Sequence, residues 1–314
     1  MAEVLSFDMT NTSDSDVWFL DLYSSVNSFS GPNYNPYIGS VLGSILVGLS
    51  GIFPLLVIPI DGGVHFNKGA GSERLRLLLS FAVGGLLGDV FLHLLPEAWN
   101  CEDSSYESNK ANHLHPPLFS GLWVLTGLLV FIIVEKLFQK ERPSEVEEPM
   151  NNNEPKSKSS PKEIGGYLNL MANVIDNFTH GLAVGGSFLL SLRIGLLTTA
   201  AILIHEVPHE VGDFAILLKS GFSRLEAAKA QLMTASSSLV GAMTAVAFSG
   251  SNDLIKQKTS WILPFTAGGF LHIALVSVLP ELIEETSPRE SLKQLLSLLL
   301  GISVMAALTF IVEE

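Results

Sequence analysis

Eight long apolar segments constrain the fold of this 314-residue chain more than any other feature. Each is about 20 residues long, the length that an α-helix needs to cross the hydrocarbon core of a bilayer. A transmembrane β-strand needs only about ten residues with strict alternation, so these lengths favour helices over a barrel. The segments cover residues 37–60, 75–97, 117–138, 166–190, 194–218, 228–248, 261–283 and 293–312. Because only 16% of the residues are charged and the mean hydropathy is +0.40, we predict an all-α membrane protein with eight transmembrane helices.

The distribution of basic residues predicts how these helices are oriented in the bilayer. An even number of spans places both termini on the same side. If that side is lumenal or extracellular, the cytosolic connections carry fourteen of the eighteen Lys and Arg residues, as the positive-inside rule requires. Residues 1–36 then form an acidic outward tail that lacks the pattern of a cleavable signal peptide. The net charge of −13 argues against a nucleic-acid partner, since a protein that binds nucleic acid needs a basic face.

A polar segment divides the chain into blocks. Residues 139–165 are rich in Pro, Glu, Asn, Ser and Lys, so we expect a disordered cytosolic loop there. Before this loop, residues 37–138 form transmembrane block 1 with spans 1–3. After it come spans 4–5 in residues 166–218, and then transmembrane block 2, with spans 6–8, in residues 219–314. Cys101 is the single cysteine and falls in an outward loop, so the chain cannot form an intrachain disulfide.

The second and seventh spans resemble each other. Phe81–Glu97 aligns without gaps with Phe265–Glu281, and the two segments are identical at seven of 17 positions. Because these segments are five spans apart, their helices cross the membrane in opposite directions. The alignment predicts a 3+2+3 arrangement with an inverted repeat, in which spans 1–3 and 6–8 flank spans 4–5, a recurrent plan of secondary transporters. Coincidence is the alternative, since Gly-Gly and Leu-Pro are common in membrane helices.

Polar residues inside spans 4 and 5 indicate function, because ionisable groups are expensive in hydrocarbon. Span 4 contains the sequence DNFTH and span 5 contains HEVPH, and each places ligand-type side chains at positions i, i+1 and i+4. Residues i and i+4 lie on one face of a helix. Imidazole and carboxylate ligands together suit zinc, iron(II) and manganese better than copper(I), magnesium or calcium. We therefore predict a divalent metal site formed by Asp176, Asn177, His180, His205, Glu206 and His209.

Several further residues leave alternatives open. Pro208 removes a backbone hydrogen bond inside span 5 and predicts a kink beside the metal site. Asp89 and His93 lie one turn apart on span 2, where they either line a metal pathway or bond to a neighbouring helix. His272 on span 7 has the same two alternatives, and a hydrogen bond between helices is the favoured one. For the six ligand-type residues as a group, the alternative is a polar contact between helices without metal.

The run HEVPHE, from His205 to Glu210, resembles the His-Glu-x-Pro-His-Glu signature of the largest subgroup of the ZIP family (Zrt-, Irt-like proteins) of divalent metal transporters. The resemblance extends over all eight spans. It implies a homodimer with a two-metal site at mid-membrane that moves zinc toward the cytosol, with iron(II) as a second candidate substrate. By matching positions, one metal is held by Asp176, His205 and His209. The other is held by Asn177, His180 and Glu206, with Glu206 or His209 shared.

Span 4 departs from the usual pattern of that subgroup, which is His-Asn-x-x-Asp. Here the order is Asp176-Asn177-Phe178-Thr179-His180, so the two outer ligands are exchanged. The exchange and the run DNFTHGLAVGGSF resemble an endomembrane member of the subgroup, which implies a Golgi, endoplasmic reticulum or vesicle membrane. The exchange also gives the first metal site an additional oxygen ligand, which favours iron(II) more than in zinc-specific relatives.

Two other functions compete with transport. The first five residues of HEVPHE match the H-E-x-x-H pattern of zinc proteases, in which Glu206 would be the general base. Pro208 distorts that helix, span 4 offers more ligands than a three-ligand catalytic site needs, and an inverted repeat has no evident use in a protease. The other alternative is a membrane protein that senses metal or serves as a scaffold without transporting it. The sequence therefore favours a transporter of divalent metal embedded in the lipid bilayer over an enzyme.

Overall fold

The computed structural model describes residues 35–57, 70–99, 116–139, 163–248 and 259–313. Every regular element within these ranges is a helix, as the apolar segments predict. Cys101, nearly all of the outward tail and most of the loop at 139–165 lie outside the described residues. The expectations for these three features therefore stay predictions.

The described helices follow the apolar segments closely. Two of the helices contain a π-helical turn. The helix nearest the N-terminus is followed by a short 3₁₀ turn. In chain order the elements are α1 Pro36–Leu49, the 3₁₀ turn Ser50–Ile52, α2 Phe53–Val57, α3 Ala70–Asp89 with the π turn Val90–Leu94, α4 Pro116–Gln139, α5 Ile164–Leu190, α6 Leu192–Lys219, α7 Arg224–Ala247, α8 Ile262–His272 with the π turn Ile273–Val278, α9 Leu279–Ile283 and α10 Pro288–Glu313.

Five helical stretches of the described chain are long and apolar enough to cross a membrane, judged by length and composition. They are Pro36–Leu56, Ser72–Trp99, Leu118–Phe138, Ile262–Ile283 and Pro288–Ile311. The long helices α5, α6 and α7 are not among them, and α5 and α6 carry the polar motifs DNFTH and HEVPHE. The helices thus confirm an all-helical fold with several segments suited to a bilayer, while the eight-span count stays a prediction.

A single residue separates the two helices that carry the ligand-type motifs. α5 ends at Leu190 and α6 begins at Leu192, with Ser191 between them in an extended conformation. The Ser191 hydroxyl oxygen accepts a hydrogen bond from the backbone N–H of Ile194 (3.1 Å), which satisfies one of the free N–H groups at the start of α6. Such a tight connection makes α5 and α6 a helical hairpin. α6 continues as a helix through Pro208, beside which the sequence predicts a kink.

The two π turns have the same cause in the sequence. Pro96 and Pro280 each lack a backbone N–H, and each ring crowds the carbonyl four residues earlier. Those carbonyls belong to Leu92 and Val276, which lie inside the π turns of α3 and α8. The α-helical ladder is therefore replaced by wider turns at these points.

Glycines allow pairs of helices to approach until their backbones touch. A Cβ atom on Gly84 of α3 would lie 2.0 Å from the carbonyl oxygen of Leu298 in α10. A Cβ atom on Gly268 of α8 would lie 2.1 Å from the carbonyl oxygen of Val124 in α4. Only a residue without a side chain fits such contacts, which are typical of membrane helices. α3 is thereby held against α10, and α8 against α4.

Ion pairs join several helix ends at one end of the bundle. Lys219 Nζ, at the end of α6, lies 3.0 Å from Glu281 Oε2 of α9. Arg76, near the start of α3, forms an ion pair with Glu285, which follows α9. The backbone N–H of Ser287 donates to Glu285 Oε1 (3.0 Å) and, together with the Arg76 guanidinium, lowers the pKa of Glu285. The start of α3 therefore lies beside the ends of α6 and α9.

Candidate metal site

The ligand-type side chains of α5 and α6 meet in the buried interior. His180 Nδ1 of α5 lies 2.7 Å from Glu206 Oε1 of α6. The same nitrogen lies 3.8 Å from Asp176 Oδ2, one turn earlier on α5. Asp176 and Glu206 are 2% and 1% exposed, so both carboxylates are removed from the outer surface. The two motifs therefore face each other across the hairpin, as their i, i+4 spacing predicts.

α3 contributes two further side chains to this cluster. Asp89 Oδ1 lies 3.2 Å from His205 Nε2. The ring of His93 lies 4.9 Å from the ring of His205, measured between centroids. The sequence left open whether Asp89 and His93 line a pathway or bond to a neighbouring helix. The described geometry places both of them against His205 of α6.

Two groups of side chains have ligand atoms close enough to share an ion. The first group contains His93, His180 and His205, and the second contains Asp176, His180 and Glu206. Within each group the ligand atoms lie within 4.8 Å of one another, and His180 belongs to both. Two adjacent groups fit the expectation of a two-metal site. The membership differs from the one that the family resemblance implies, because here Asp176 accompanies His180 and Glu206.

Many ligand atoms of the cluster are buried and make no hydrogen bond. Glu206 Oε1 and His180 Nδ1 are only 2.7 Å apart, yet their alignment is not that of a hydrogen bond. An unsatisfied buried polar group costs about 1–3 kcal/mol, and native proteins contain few of them. A divalent cation would satisfy such lone pairs together. The atoms concerned are Asp89 Oδ1 and Oδ2, Asp176 Oδ2, His180 Nδ1, Glu206 Oε1 and His209 Nε2.

Asp213 sets the orientation of His209, and the motif analysis did not include it. Asp213 Oδ2 lies 3.0 Å from His209 Nδ1, one turn away on α6. It also accepts a hydrogen bond from Asn173 Nδ2 of α5 (2.8 Å). Holding Nδ1 in this way leaves Nε2 free to bind a metal, an arrangement common among metal-binding histidines. The signal in the sequence is the i, i+4 spacing of His209 and Asp213.

Asn173 also positions Asn177, the amide ligand predicted on α5. Asn177 Nδ2 donates to Asn173 Oδ1 (2.7 Å) and to the Asn173 backbone oxygen (3.0 Å). With the amide nitrogen directed toward Asn173, the carbonyl oxygen lies on the opposite side of the amide carbon. Asn177 therefore stays a predicted ligand, and its carbonyl oxygen is the candidate ligand atom.

Two other polar residues named in the sequence analysis connect helices. Glu210, the last residue of HEVPHE, accepts a hydrogen bond from Gln231 Nε2 of α7 through both its side chain and its backbone oxygen. His272 Nε2 of α8 lies 2.6 Å from Glu135 Oε2 of α4. That pair corresponds to the contact between helices that the sequence favoured for His272. These residues therefore fasten α6 to α7 and α8 to α4.

These features define the class of the protein: a helical membrane protein with a buried cluster of imidazole and carboxylate side chains of the kind that bind divalent metals. The family model described as ZIP Zinc transporter matches residues 35–164 and 139–309. The Zinc transporter ZIP13 homolog of Drosophila melanogaster is 48% identical over 97% of this chain and 99% of its own length. Zinc transporter ZIP13 of Mus musculus is 50% identical over 90% of this chain and 83% of its own length. Its counterpart in Homo sapiens is 48% identical over 90% of this chain and 84% of its own length.

The chain therefore belongs to the ZIP family of metal transporters. The resemblance predicted from HEVPHE and from the exchanged ligands of span 4 is confirmed. A transporter rather than an enzyme is confirmed as well, and the zinc-protease alternative for His205 to His209 has no support among these relatives.

Proposed function

We propose that this protein carries zinc across its membrane through the cluster formed by α5, α6 and α3, with iron(II) as a second substrate. The observation that carries the proposal is the set of buried imidazole and carboxylate atoms between these helices that make no hydrogen bond, although several lie within ion-pair distance of one another. A resident polar network would hydrogen-bond these atoms to one another, whereas the lone pairs that such bonds would occupy are available here to a passing cation. Relatives named zinc transporters support zinc as the main substrate.

The proposed ligands are the six residues predicted from the two motifs, joined by Asp89 and His93. His180 has the central role because it belongs to both close groups of ligand atoms. A cation that moves from the group with His93 to the group with Glu206 keeps its bond to His180 while the other ligands change. Such a transfer avoids a fully dehydrated, unliganded ion in the low-dielectric interior.

We further propose eight spans in a 3+2+3 arrangement with an inverted repeat. Gly268 is the residue aligned with Gly84 in the repeat, and each of them packs against the backbone of another helix. Gly84 meets Leu298 of α10, and Gly268 meets Val124 of α4. The relation is reciprocal, because two further glycines on α10 and α4 meet the aligned phenylalanines. A Cβ atom would lie 2.3 Å from the Phe81 carbonyl oxygen for Gly301 and 2.0 Å from the Phe265 carbonyl oxygen for Gly127.

The π turns support the same arrangement. In the ungapped alignment Val90–Leu94 corresponds to Ala274 through Val278, which lies inside the π turn Ile273–Val278. Because the glycine contacts join α3 to α10 and α8 to α4 across the two blocks, these helices can rock against α5 and α6 together, which fits the alternating access of inverted-repeat transporters to a central site.

The proposed direction is from the lumenal or extracellular side to the cytosol. The bundle end that carries Arg76 and Lys219 is the cytosolic one by the positive-inside rule. Both termini then face the lumen or the exterior. The exchanged ligands of span 4 point to a Golgi, endoplasmic reticulum or vesicle membrane, and a homodimer is the proposed assembly.

Reconstituted transport tests the proposal. Purified protein in proteoliposomes should accumulate zinc, and Asp176→Ala or His205→Ala should abolish the flux while the variants still insert. Thr179→Val is the matched control, because the Thr179 hydroxyl only donates to the backbone oxygen of Asp176 (2.7 Å). Normal flux in the Asp176 and His205 variants would refute the site. Competition among zinc, iron(II) and manganese would establish the order of preference.

A further inference from the structure

The last turns of the second span carry a row of ligand-type side chains that ends at the surface. Asp89, His93 and Glu97 follow one another at four-residue intervals. Their contacts place them on one side of the helix, because Asp89 and His93 both meet His205 and His93 lies beside Glu97. Their side chains are 1%, 32% and 50% exposed in that order. The row therefore leads from the buried cluster to the end of the bundle opposite to Arg76 and Lys219.

The distance between the two outer members suits a shared cation. His93 Nε2 and Glu97 Oε2 are 3.7 Å apart, which is too long for a hydrogen bond. Two ligand atoms at about 2.1 Å from a tetrahedral zinc are separated by roughly 3.4 Å. A small rotation of the half-exposed Glu97 side chain would bring the pair to that separation.

We propose that Glu97 and His93 form an outer capture site that delivers the metal to the buried cluster. This inference rests on the proposed function, because it gives the transported cation its first ligands. His93 is the connecting residue, since its ring also lies 4.9 Å from that of His205. A cation bound by Glu97 and His93 reaches the inner group by exchanging Glu97 for His205 while His93 remains bound.

The inverted repeat places a second glutamate where Glu97 would lie in block 2. Glu281 is the residue aligned with Glu97, and its side chain has a similar exposure of 47%. Its surroundings are different, however. Lys219 Nζ lies 3.0 Å from Glu281 Oε2 and also donates to the backbone oxygen of Ser277 (2.8 Å), the residue aligned with His93.

The outward end of the pathway can therefore capture a cation, whereas the cytosolic end cannot do so in the same way. At the cytosolic end a lysine ammonium neutralises the carboxylate and repels a cation, and serine replaces the imidazole. At the outward end, Glu97 pairs with His93 alone among the described residues. Equivalent positions at the two mouths of the pathway therefore differ in the ligands that they offer to zinc.

Zinc uptake into proteoliposomes with the outward face exposed tests the capture site. Glu97→Gln should raise the KM for zinc about fivefold, with Vmax changed by less than about twofold, because the inner cluster is intact. Glu281→Gln is the matched control and should leave KM unchanged. Glu97→His, which supplies a ligand without negative charge, should return KM to within about twofold of the wild-type value.

The outcomes separate the inference from the function on which it rests. An unchanged KM in Glu97→Gln, or an equal rise in Glu281→Gln, would overturn the capture site while zinc flux itself stands. If Glu97→His does not restore KM, the proposal that Glu97 binds the cation directly is overturned, and Glu97 acts only through the attraction of its negative charge. Absence of zinc flux in the wild-type protein would overturn the proposed function instead.

Discussion

His180 Nδ1 of α5 lies 2.7 Å from Glu206 Oε1 of α6, and this contact joins the two halves of the proposed metal site. The same imidazole belongs to both groups of ligand atoms that are close enough to share an ion. Its partners are the buried carboxylates of Asp176 and Glu206, each of which has an oxygen that makes no hydrogen bond within the described residues. The effect of replacing His180 therefore distinguishes one continuous pathway from two independent metal sites.

Replacing His180 should affect both metal positions at once. We expect His180→Ala to remove two bound zinc ions per chain, whereas Glu206→Gln should remove one, because only His180 belongs to both groups. Loss of zinc flux in His180→Ala should exceed about 100-fold, in line with the loss of a direct ligand on a transport route. Equilibrium dialysis followed by elemental analysis would measure the stoichiometry. Retention of one zinc in His180→Ala would show that the two groups do not share this ligand.

Asp213 should tune metal affinity without binding the metal. Asp213→Asn keeps the shape of the side chain but removes the negative charge beside His209 Nδ1. We expect the zinc affinity to fall about tenfold, the usual effect of removing a carboxylate behind a metal-binding histidine. Titration against a chromophoric chelator would measure this change. Thr244→Val on α7 is a suitable control, since that hydroxyl only donates to the backbone oxygen of Val240 (2.8 Å); an equal fall there would indicate a general packing defect.

The motifs of spans 4 and 5 could be predicted because helical spacing is a local property. Asp176 and His180 share a helix face whatever the tertiary fold, and so do His205 and His209. The contribution of Asp89 and His93 could not be deduced in the same way. Their approach to His205 depends on how α3 packs against the hairpin of α5 and α6, which no local pattern specifies.

The hydrogen bonds that hold the candidate ligands in place could be predicted only in part. Asn173 lies one turn before Asn177, so a spacing rule could have included it. Its role, however, depends on Asp213 of the neighbouring helix, whose Oδ2 it contacts at 2.8 Å. The π turns could be foreseen only in part: Pro96 and Pro280 disturb the carbonyl four residues earlier, but Pro208 does the same inside α6, which stays α-helical.

The paired glycine contacts predict a matched loss of stability. Gly84→Val would force a side chain into the carbonyl oxygen of Leu298, and Gly268→Val would do the same at Val124. Each should lower the free energy of unfolding by about 2 kcal/mol or more through overpacking. Gly85→Val is the matched control, because a Cβ atom there meets nothing within 4 Å. Thermal unfolding in detergent would rank the variants, and equal stability of the Gly84 and Gly85 variants would contradict the close contact.

His272 should serve stability rather than transport. Its Nε2 is 2.6 Å from Glu135 Oε2, and its ring lies 6.2 Å from that of the buried Phe131. We expect His272→Ala to lower the free energy of unfolding by about 2 kcal/mol, as loss of a buried hydrogen bond to a charged group does. The KM for zinc should stay within about twofold of the wild-type value. A KM that rises with no loss of thermal stability would instead assign His272 to the metal pathway.

The exchanged ligands of α5 provide a test of which residues share a metal. In the described geometry His180 accompanies His93 and His205, so the double variant Asp176→His with His180→Asp turns that group into two imidazoles and one carboxylate. That ligand set is typical of iron(II) sites, and iron(II) should then compete about fivefold better against zinc uptake. The grouping that the family resemblance implies gives the opposite result, since the double variant would create a site of three imidazoles from residues 176, 205 and 209. Zinc uptake measured over a range of iron(II) concentrations, kept reduced with ascorbate, distinguishes the two, and weaker competition by iron(II) would contradict the grouping seen here.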